Sequence, residues 1–551
     1  MNNNKKKVLI VSEAHHLGSG FGTYALELLT RLQATNKYVL AEFASYGKPR
    51  TVNPQWLYYA NAPADEDQEQ LKLYNSNPLN QFGAWRFDKV CLDFKPDIVL
   101  CYRDPWMDNW IQDSPLRPYF HWVWMPTVDS APQRQEWIDT FARCDAILTY
   151  SEFGGETLKE QGKERINYIG CASPGIHSEA YKPIPKKPHR IAMGLDPDAF
   201  IVGTVMRNQK RKLFFELMKA FRLFLDQAPK EVAQKTFLYL HTSYPEKQGW
   251  DIAQGIMSHN LCGKVLMTYI CKVCGKFFPS MFQDALGKCK HCGNMSAVCP
   301  TVGLGLSVKD LGKVYNLFDI YAQYAICEGF GMPQVEAGAC GVPVTATDYS
   351  AMHDVLHFTK GYPIPVETFF RELETDAERA YPNNQAFADI LINFFTQSEE
   401  ERMTKALEVR ENTVSRYSWD GSAKVWEKYI DSYTPQGLQG QWDAPPSIIN
   451  IPNKMPENIS NEDFVTWIYN DILHMPDRLH QYESTKLVRE LAFGATMGQG
   501  MLEPITRQQI YDGSKQRSYN RNQTEHIRAG NIPLPPERFI IEAHEMLKEK
   551  S

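Results

Sequence analysis

"CEGFGMPQVEAGACGVPVTATD", residues 327–348, places Glu328 and Glu336, Gly329 and Gly331, Pro333 and the step Gly341-Val342-Pro343 in one short stretch. Pro333 suits the first turn of a helix, and Gly329 and Gly331 before it permit a sharp turn of the backbone. The N–H groups of Gly329, Phe330, Gly331 and Met332 would then face an anion. Glu328 falls at the end of the preceding strand and Glu336 inside the helix, so the two carboxylates flank a phosphate-sized gap.

Upstream, "VMRNQKRK" (205–212) follows a buried strand, and its Arg207 and Lys212 supply the positive charge that a leaving diphosphate requires. Standing alone they would read as a solvated charge run. Near the start, "LGSGFGTY" (17–24) joins the strand "KVLIVS" to the helix "ALELLTRLQA". Glycines 18, 20 and 22 let backbone approach a diphosphate, as in a dinucleotide-binding fold, and Glu42 lies at a distance suited to a ribose hydroxyl. The spacing is G-x-G-x-G, however, and a tight turn accounts for it equally well.

Around these motifs the chain alternates strands and helices twice over. "DIVLCYR", "YFHWVWM", "AILTYS" and "NYIG" follow the glycine loop; the pattern pauses at the Pro- and Lys-rich linker "KPIPKKPHR" (182–190) and restarts with "FIVGTVMR". That order predicts an α/β protein with two Rossmann-like domains facing a cleft, over 1–188 and 189–415. A crossover helix over 416–434 packs back on the first domain. A helical extension over 435–551 carries helices near 462–475, 484–493 and 536–549, with a polar stretch before the last. At 551 residues, with 59 basic and 65 acidic side chains, the composition is that of a multidomain globular protein without a general coat of positive charge. No apolar run is long enough for a signal peptide or a membrane span, which predicts a cytoplasmic protein (host cytoplasm if viral) with reduced thiols.

Taken together, Gly18 to Gly22, Arg207 with Lys212, Glu328 with Glu336, and Gly341-Val342-Pro343 resemble the family 4 glycosyltransferases of the GT-B fold, over about residues 7 to 434. The resemblance implies a UDP- or GDP-sugar donor held mainly by the second domain, and usually retention of anomeric configuration. Glu336 would bond the ribose hydroxyls and Glu328 would lie by the transferred sugar. Arg207 and Lys212 would neutralise the diphosphate in place of a catalytic metal, while Gly20 and Gly22 approach it from across the cleft. Many relatives carry a histidine after the strand "YFHWVWMPTVD". Here Asp129 occupies that turn and His121 lies earlier, so Asp129 is the candidate for touching sugar or acceptor. His15 and His16 are the base candidates should the reaction invert.

One segment falls outside the resemblance. Six of the twelve cysteines lie between 262 and 299, and Cys271-x2-Cys274 with Cys289-x2-Cys292 has the spacing of a four-thiolate structural Zn²⁺ site, a zinc ribbon over 271–299. Cys262, Cys299 and His291 are the nearby alternative ligands. Zinc here either pins a long loop or builds a lobe that meets a large acceptor. The cations and aromatics of "KFF" and "KCKHC" point to nucleic acid, for instance a hydroxymethylated pyrimidine in viral DNA. Small-molecule, lipid and polysaccharide acceptors remain alternatives, as does a non-catalytic scaffold. Nothing in the sequence sets the oligomeric state.

Overall fold

The computed structural model describes residues 5–534 except 50, 51, 53, 302, 434–441, 480, 494, 497–501 and 504. Two parallel sheets dominate it. The first holds β1 (Lys7–Glu13), β2 (Val39–Ser45), β3 (Leu57–Ala60), β4 (Ile98–Cys101), β5 (His121–Trp124), β6 (Ala146–Thr149) and β7 (Tyr168–Cys171), in the order 3-2-1-4-5-6-7. Its strands are short apolar runs because helices cover both faces; all five inner residues of β1 are buried.

The second sheet runs from β8 (Phe200–Val205) through β9 (Thr236–His241) to β10 (Val265–Cys271). After three short strands, β11 (Phe277–Met281), β12 (Gly287–Lys288) and β13 (Met295–Val298), it resumes with β14 (Ile320–Gln323), β15 (Val344–Thr347) and β16 (Tyr362–Ile364). The parallel part has the order β10-β9-β8-β14-β15-β16. In each sheet the order reverses beside the central strand, between β1 and β4 and between β8 and β14, and the carboxyl ends there open into a crevice. The glycine turn follows β1, "RNQKRK" follows β8, and Glu328 follows β14.

The stretch 182–190, expected as a linker, is tied down instead. A helix spans Lys186–Ala192, with Pro188 in its first turn where a missing N–H costs little. Its buried Arg190 donates to Leu317 O and Ala199 O at 2.6 Å and pairs with Asp319 at 2.6 Å. The helix Trp419–Ser432 returns to the first sheet's side, where Trp426 Nε1 donates to the Tyr24 hydroxyl at 2.8 Å and Arg31 pairs with Asp420 at 2.6 Å. A hairpin of β17 (Val366–Glu372) and β18 (Ala377–Pro382) reaches across as well, with Glu378 N–H donating to Ala131 O at 3.0 Å.

In the extension, helices occupy Asn461–Trp467 and Tyr482–Phe493. The stretch expected to be merely polar contains the longest helix of the described residues, Arg507–Arg528. The anticipated helix over 536–549 lies outside the described residues. Among the described residues no helix is long and apolar enough to cross a membrane.

Candidate active site and cysteine cluster

Glu328 is the hub of the crevice. Its carboxylate is 7 % exposed and forms ion pairs with Lys212 Nζ and, at 3.0 Å, with Arg211 Nη1. Gln323, the last residue of β14, also donates to it, and the Tyr321 hydroxyl donates to Gln323; residues two apart on one strand share a face. Glu328 N–H donates to Ser350 Oγ at 3.0 Å, and Ser350 is held at φ 55°, a backbone conformation costing on the order of 1–3 kcal/mol. Burial and the neighbouring Arg211 push the Lys212 pKa well down.

Asp129 arrives from the facing sheet, in the loop after β5. Arg379 of the hairpin bonds it at 2.9 Å and also bonds Glu372 at 2.7 Å. Burial alone would raise the Asp129 carboxyl, but the charge and hydrogen bonds of Arg379 outweigh it and hold the pKa below the usual range. The Cys327 thiol lies 3.3 Å from the same carboxylate, so Asp129 and Glu328 approach one another across the domain boundary. Asp104, after β4, adds a further acid whose pKa is pushed up to about 6, first by burial and then by Asp129, with Thr127 and Arg211 opposing.

The glycines are required by geometry at particular points. A Cβ on Gly329 would lie 2.4 Å from Thr127 Cγ2 of the first domain, and Gly331 caps its helix at φ 85°. That helix, Met332–Ala339, takes Pro333 in its first turn, and Phe330 packs its ring on Tyr417 at 5.4 Å. Glu336 accepts from the Tyr315 hydroxyl at 2.7 Å, and enclosure raises its pKa. Across the crevice a helix begins at Gly20, capped by Ser19 Oγ, which accepts Gly22 N–H at 3.0 Å. A Cβ at Gly22 would sit 2.6 Å from Leu17 O, whereas space beside Gly18 and Gly20 is open.

The structure therefore brings together Glu328, Lys212 and Asp129, and sets Arg207 apart. The Arg207 guanidinium is half exposed and 3.7 Å from Glu246. With Arg211, Lys247, Trp250, Phe370 and Tyr381 it lines a cavity of about 1090 Å³ beside Glu372. Glu42, considered for a ribose, is fully buried and holds His15 N–H and Nδ1 at 2.8 and 2.7 Å and Trp56 Nε1 at 2.8 Å, so it has no place for a ligand hydroxyl. His16 is exposed at the turn, its pKa lowered mainly by desolvation. His121 is far from the crevice, at the start of β5, stacked 3.8 Å from Tyr433. The sequence does not single out Arg211, Asp104 or Arg379: the first is one cation in a run of four, Asp104 stands in the loop after β4 and Arg379 in the hairpin strand β18.

The thiols of Cys271, Cys274, Cys289 and Cys292 all lie within 4.8 Å of one another. Two of the pairs are 3.6 and 3.7 Å apart, against about 3.8 Å between thiolates in a tetrahedron of Zn–S bonds near 2.3 Å. Gly275 and Gly293 take φ 70° and 77°, closing turns in which the N–H groups of Cys274 and His291 point at sulfur, at 3.4 and 3.3 Å. The donor set fits zinc. Cys262, Cys299 and His291 lie outside the cluster. The cysteine cluster is fused to the sheet: Cys271 ends β10, and β11 pairs antiparallel with β10 from Leu266↔Met281 to Ile270↔Phe277, covering an edge. Its aromatics and cations are partly used internally, since Phe278 is buried and Lys290 donates to Pro279 O at 2.7 Å.

Residues 301–368 match the family model described as glycosyl transferases group 1. No curated protein sequence is significantly similar to the chain. Among solved structures it resembles a sucrose-phosphate synthase from Thermosynechococcus elongatus (15% identity, 78% of this chain and 100% of that one, TM-score 0.55). Anabaena HepE in complex with UDP-glucose is also similar (14%, 78% and 100%, TM-score 0.52), as is a glycosyltransferase from Rickettsia africae (14%, 78% and 98%, TM-score 0.51). The fold is GT-B.

Proposed function

We propose that this chain is a glycosyltransferase that takes its sugar from a nucleotide-sugar, with a UDP-sugar as the favoured donor. The observation carrying this is the convergence of Glu328, Lys212 and Arg211 at the reversal point of the second sheet, with Asp129 facing them from the first. The group 1 family match covers Glu328 and Glu336 themselves, and HepE, a neighbour of the same fold, was solved with UDP-glucose. In the proposed reaction the bond from the anomeric carbon to the diphosphate breaks and a bond to the acceptor oxygen forms. The acceptor proton leaves on the diphosphate. Lys212 and Arg211 neutralise that leaving group, Arg207 joins them from the cavity wall, Glu336 takes the ribose, and the N–H groups at Gly20 and at Gly329 to Met332 lie against the phosphates.

Retention is the proposed outcome. Asp129 is the acid nearest the crevice from the acceptor side, and Arg379 holds it as a weak base. The zinc ribbon is proposed as a structural element that stiffens the edge of the donor sheet. The acceptor is proposed to be a hydroxyl of a sugar or other small molecule. A hydroxymethylated base in DNA is the second reading, favoured by the cavity that combines Trp250, Phe370 and Tyr381 with Arg207 and Lys247.

The test is donor turnover by Glu328→Gln, which keeps the packing while removing the charge. Pooled UDP- and GDP-sugars are offered with small sugar acceptors or with plain and hydroxymethylated DNA, and products are read by mass. We expect the wild type to add one sugar mass to one acceptor class and the variant to fall by at least about 100-fold while its melting curve shows that it remains folded. Equal turnover by the variant would sink the assignment.

A further inference from the structure

A second cluster of cationic side chains lies outside the cleft, where the extension meets the first domain. A cavity of about 630 Å³ there is lined by Arg117, Arg143, Arg478, Arg517 and Arg521, against three acids, Asp88, Asp113 and Asp477. Two of the arginines are fully engaged. Arg117 pairs with Asp145 at 2.8 Å, and Arg478, 5 % exposed, pairs with Asp113 at 2.8 Å. Arg517 comes only within 3.7 Å of Asp113.

Two more are under-used. Arg143 gives one N–H group to Gln112, but among the described residues its Nε and Nη2 are buried without an acceptor, and so is Nε of Arg521. Buried donors of this kind are ordinarily paired, and an unpaired one marks a missing partner. Burial and the nearby Arg478 push even the Arg143 guanidinium down. The half-buried Asp88 is turned to a neighbour of its own. It accepts from Ser114 at 2.5 Å, and desolvation lifts its pKa to about 6.

We propose that this cavity is a second, anion-binding site for a small molecule carrying a phosphate monoester or diphosphate, gripped by Arg143, Arg517 and Arg521. Planar guanidinium forks match phosphate oxygens in pairs, and the volume is that of a small-ligand pocket, about 300–1,000 Å³. The place argues that its occupant is not the donor. Arg143 precedes β6 and Arg117 precedes β5, so the cavity lies at the amino ends of strands whose carboxyl ends face the cleft. Because Arg517 and Arg521 belong to the helix Arg507–Arg528 and Arg143 to the first domain, a bound phosphate clamps the extension to that domain.

Inorganic pyrophosphate is the probe, followed by calorimetry and thermal melting of the full chain in phosphate-free buffer. Lys212→Ala serves as the background, so that the cleft contributes little. We expect pyrophosphate to raise the melting temperature by several degrees. Arg143→Gln with Arg521→Gln should weaken binding by about tenfold or more. The ligand-free double variant should melt no lower, since it sheds unpaired buried charge. Should it melt lower, Arg521→Gln alone, on a partly exposed side chain, carries the same comparison. An identical titration with and without the two arginines, or no response to pyrophosphate in either protein, overturns the proposal. So does a single-stranded oligonucleotide that binds through these arginines while pyrophosphate does not, which would assign them to nucleic acid.

Discussion

Between the two sheets, Arg211, Lys212 and Arg379 meet Glu328, Asp129 and Glu372, and each cation touches a carboxylate. In the extension cavity Arg117, Arg478 and Arg517 face acids, whereas N–H groups of Arg143 and Arg521 are left over. Both regions are cationic stretches built around buried charge, yet an incoming anion meets a different situation in each. In the cavity it adds to an incomplete set. In the cleft it must compete with a carboxylate already in place, and separating a buried ion pair is costly unless the new partner is as good. A diphosphate supplies such a partner; a lone sugar or a neutral nucleoside does not. On the proposed function the resting cleft would discriminate by exchange, with Lys212, in contact with Glu328, as the group that exchanges.

That contrast makes Lys212 and Arg207 unequal, although five-residue spacing made them look like a matched pair. Lys212→Ala should lower donor turnover by about 10²–10³-fold, because a buried cation is lost from the point where charge develops. Arg207→Ala, removing a half-exposed group whose partner is Glu246 at 3.7 Å, should cost about tenfold or less. Steady-state rates of both variants, with melting curves to exclude unfolding, decide it. Equal losses would mean that Arg207 swings onto the donor and that the resting arrangement understates it.

The difference between what was legible in the chain and what was not follows from how each residue is constrained. Gly329 and Gly331 stand out in sequence because backbone geometry admits little else there: one abuts Thr127 of the opposite domain and the other sits at φ 85°. The two sheets were readable because buried parallel strands are continuous apolar runs. Arg211, Asp104 and Arg379 carry no such mark, since charges are common in polar stretches of any chain and only the fold converts these three into neighbours. The helix Arg507–Arg528 was missed for a related reason. Its buried face includes Glu525 and Arg528, which bond Tyr119, Ser447 and Trp442, so hydrophobic periodicity had nothing to report. The linker failed similarly, because a buried Arg190 rather than an apolar side chain docks it.

The cysteine cluster offers the mirror image of the arginine cavity: four sulfurs within 4.8 Å of one another, a set that a cation would complete. Cys274→Ser, or a strong chelator, should release one zinc per chain, read by elemental analysis, and lower the melting temperature by several degrees as β10 loses the arm on its edge. Donor turnover should fall only a few-fold, because none of the four thiols touches Glu328 or its partners. A metal-free wild type with an unchanged melting curve would remove zinc from the account. A turnover loss as large as that of Lys212→Ala would move the ribbon into the donor site.

The smallest effect concerns the balance of the cleft itself, which holds only while Asp104 stays neutral. Ionised, Asp104 would be a fourth carboxylate beside Asp129, with Arg211 its nearest opposing charge. Its pKa of about 6 in the folded chain is above that of an unfolded aspartate. The stability it contributes is therefore full below about pH 4 and is lost as pH rises through about 6. Above that pH the folded chain carries a penalty on the order of 3 kcal/mol, which Asp104→Asn abolishes. The variant should melt a few degrees above wild type at pH 7.5, with the gap narrowing by pH 5. A gap that stays constant across this range would mean that Asp104 is ionised throughout, and that the cleft, like the arginine cavity, waits for an ion of opposite sign.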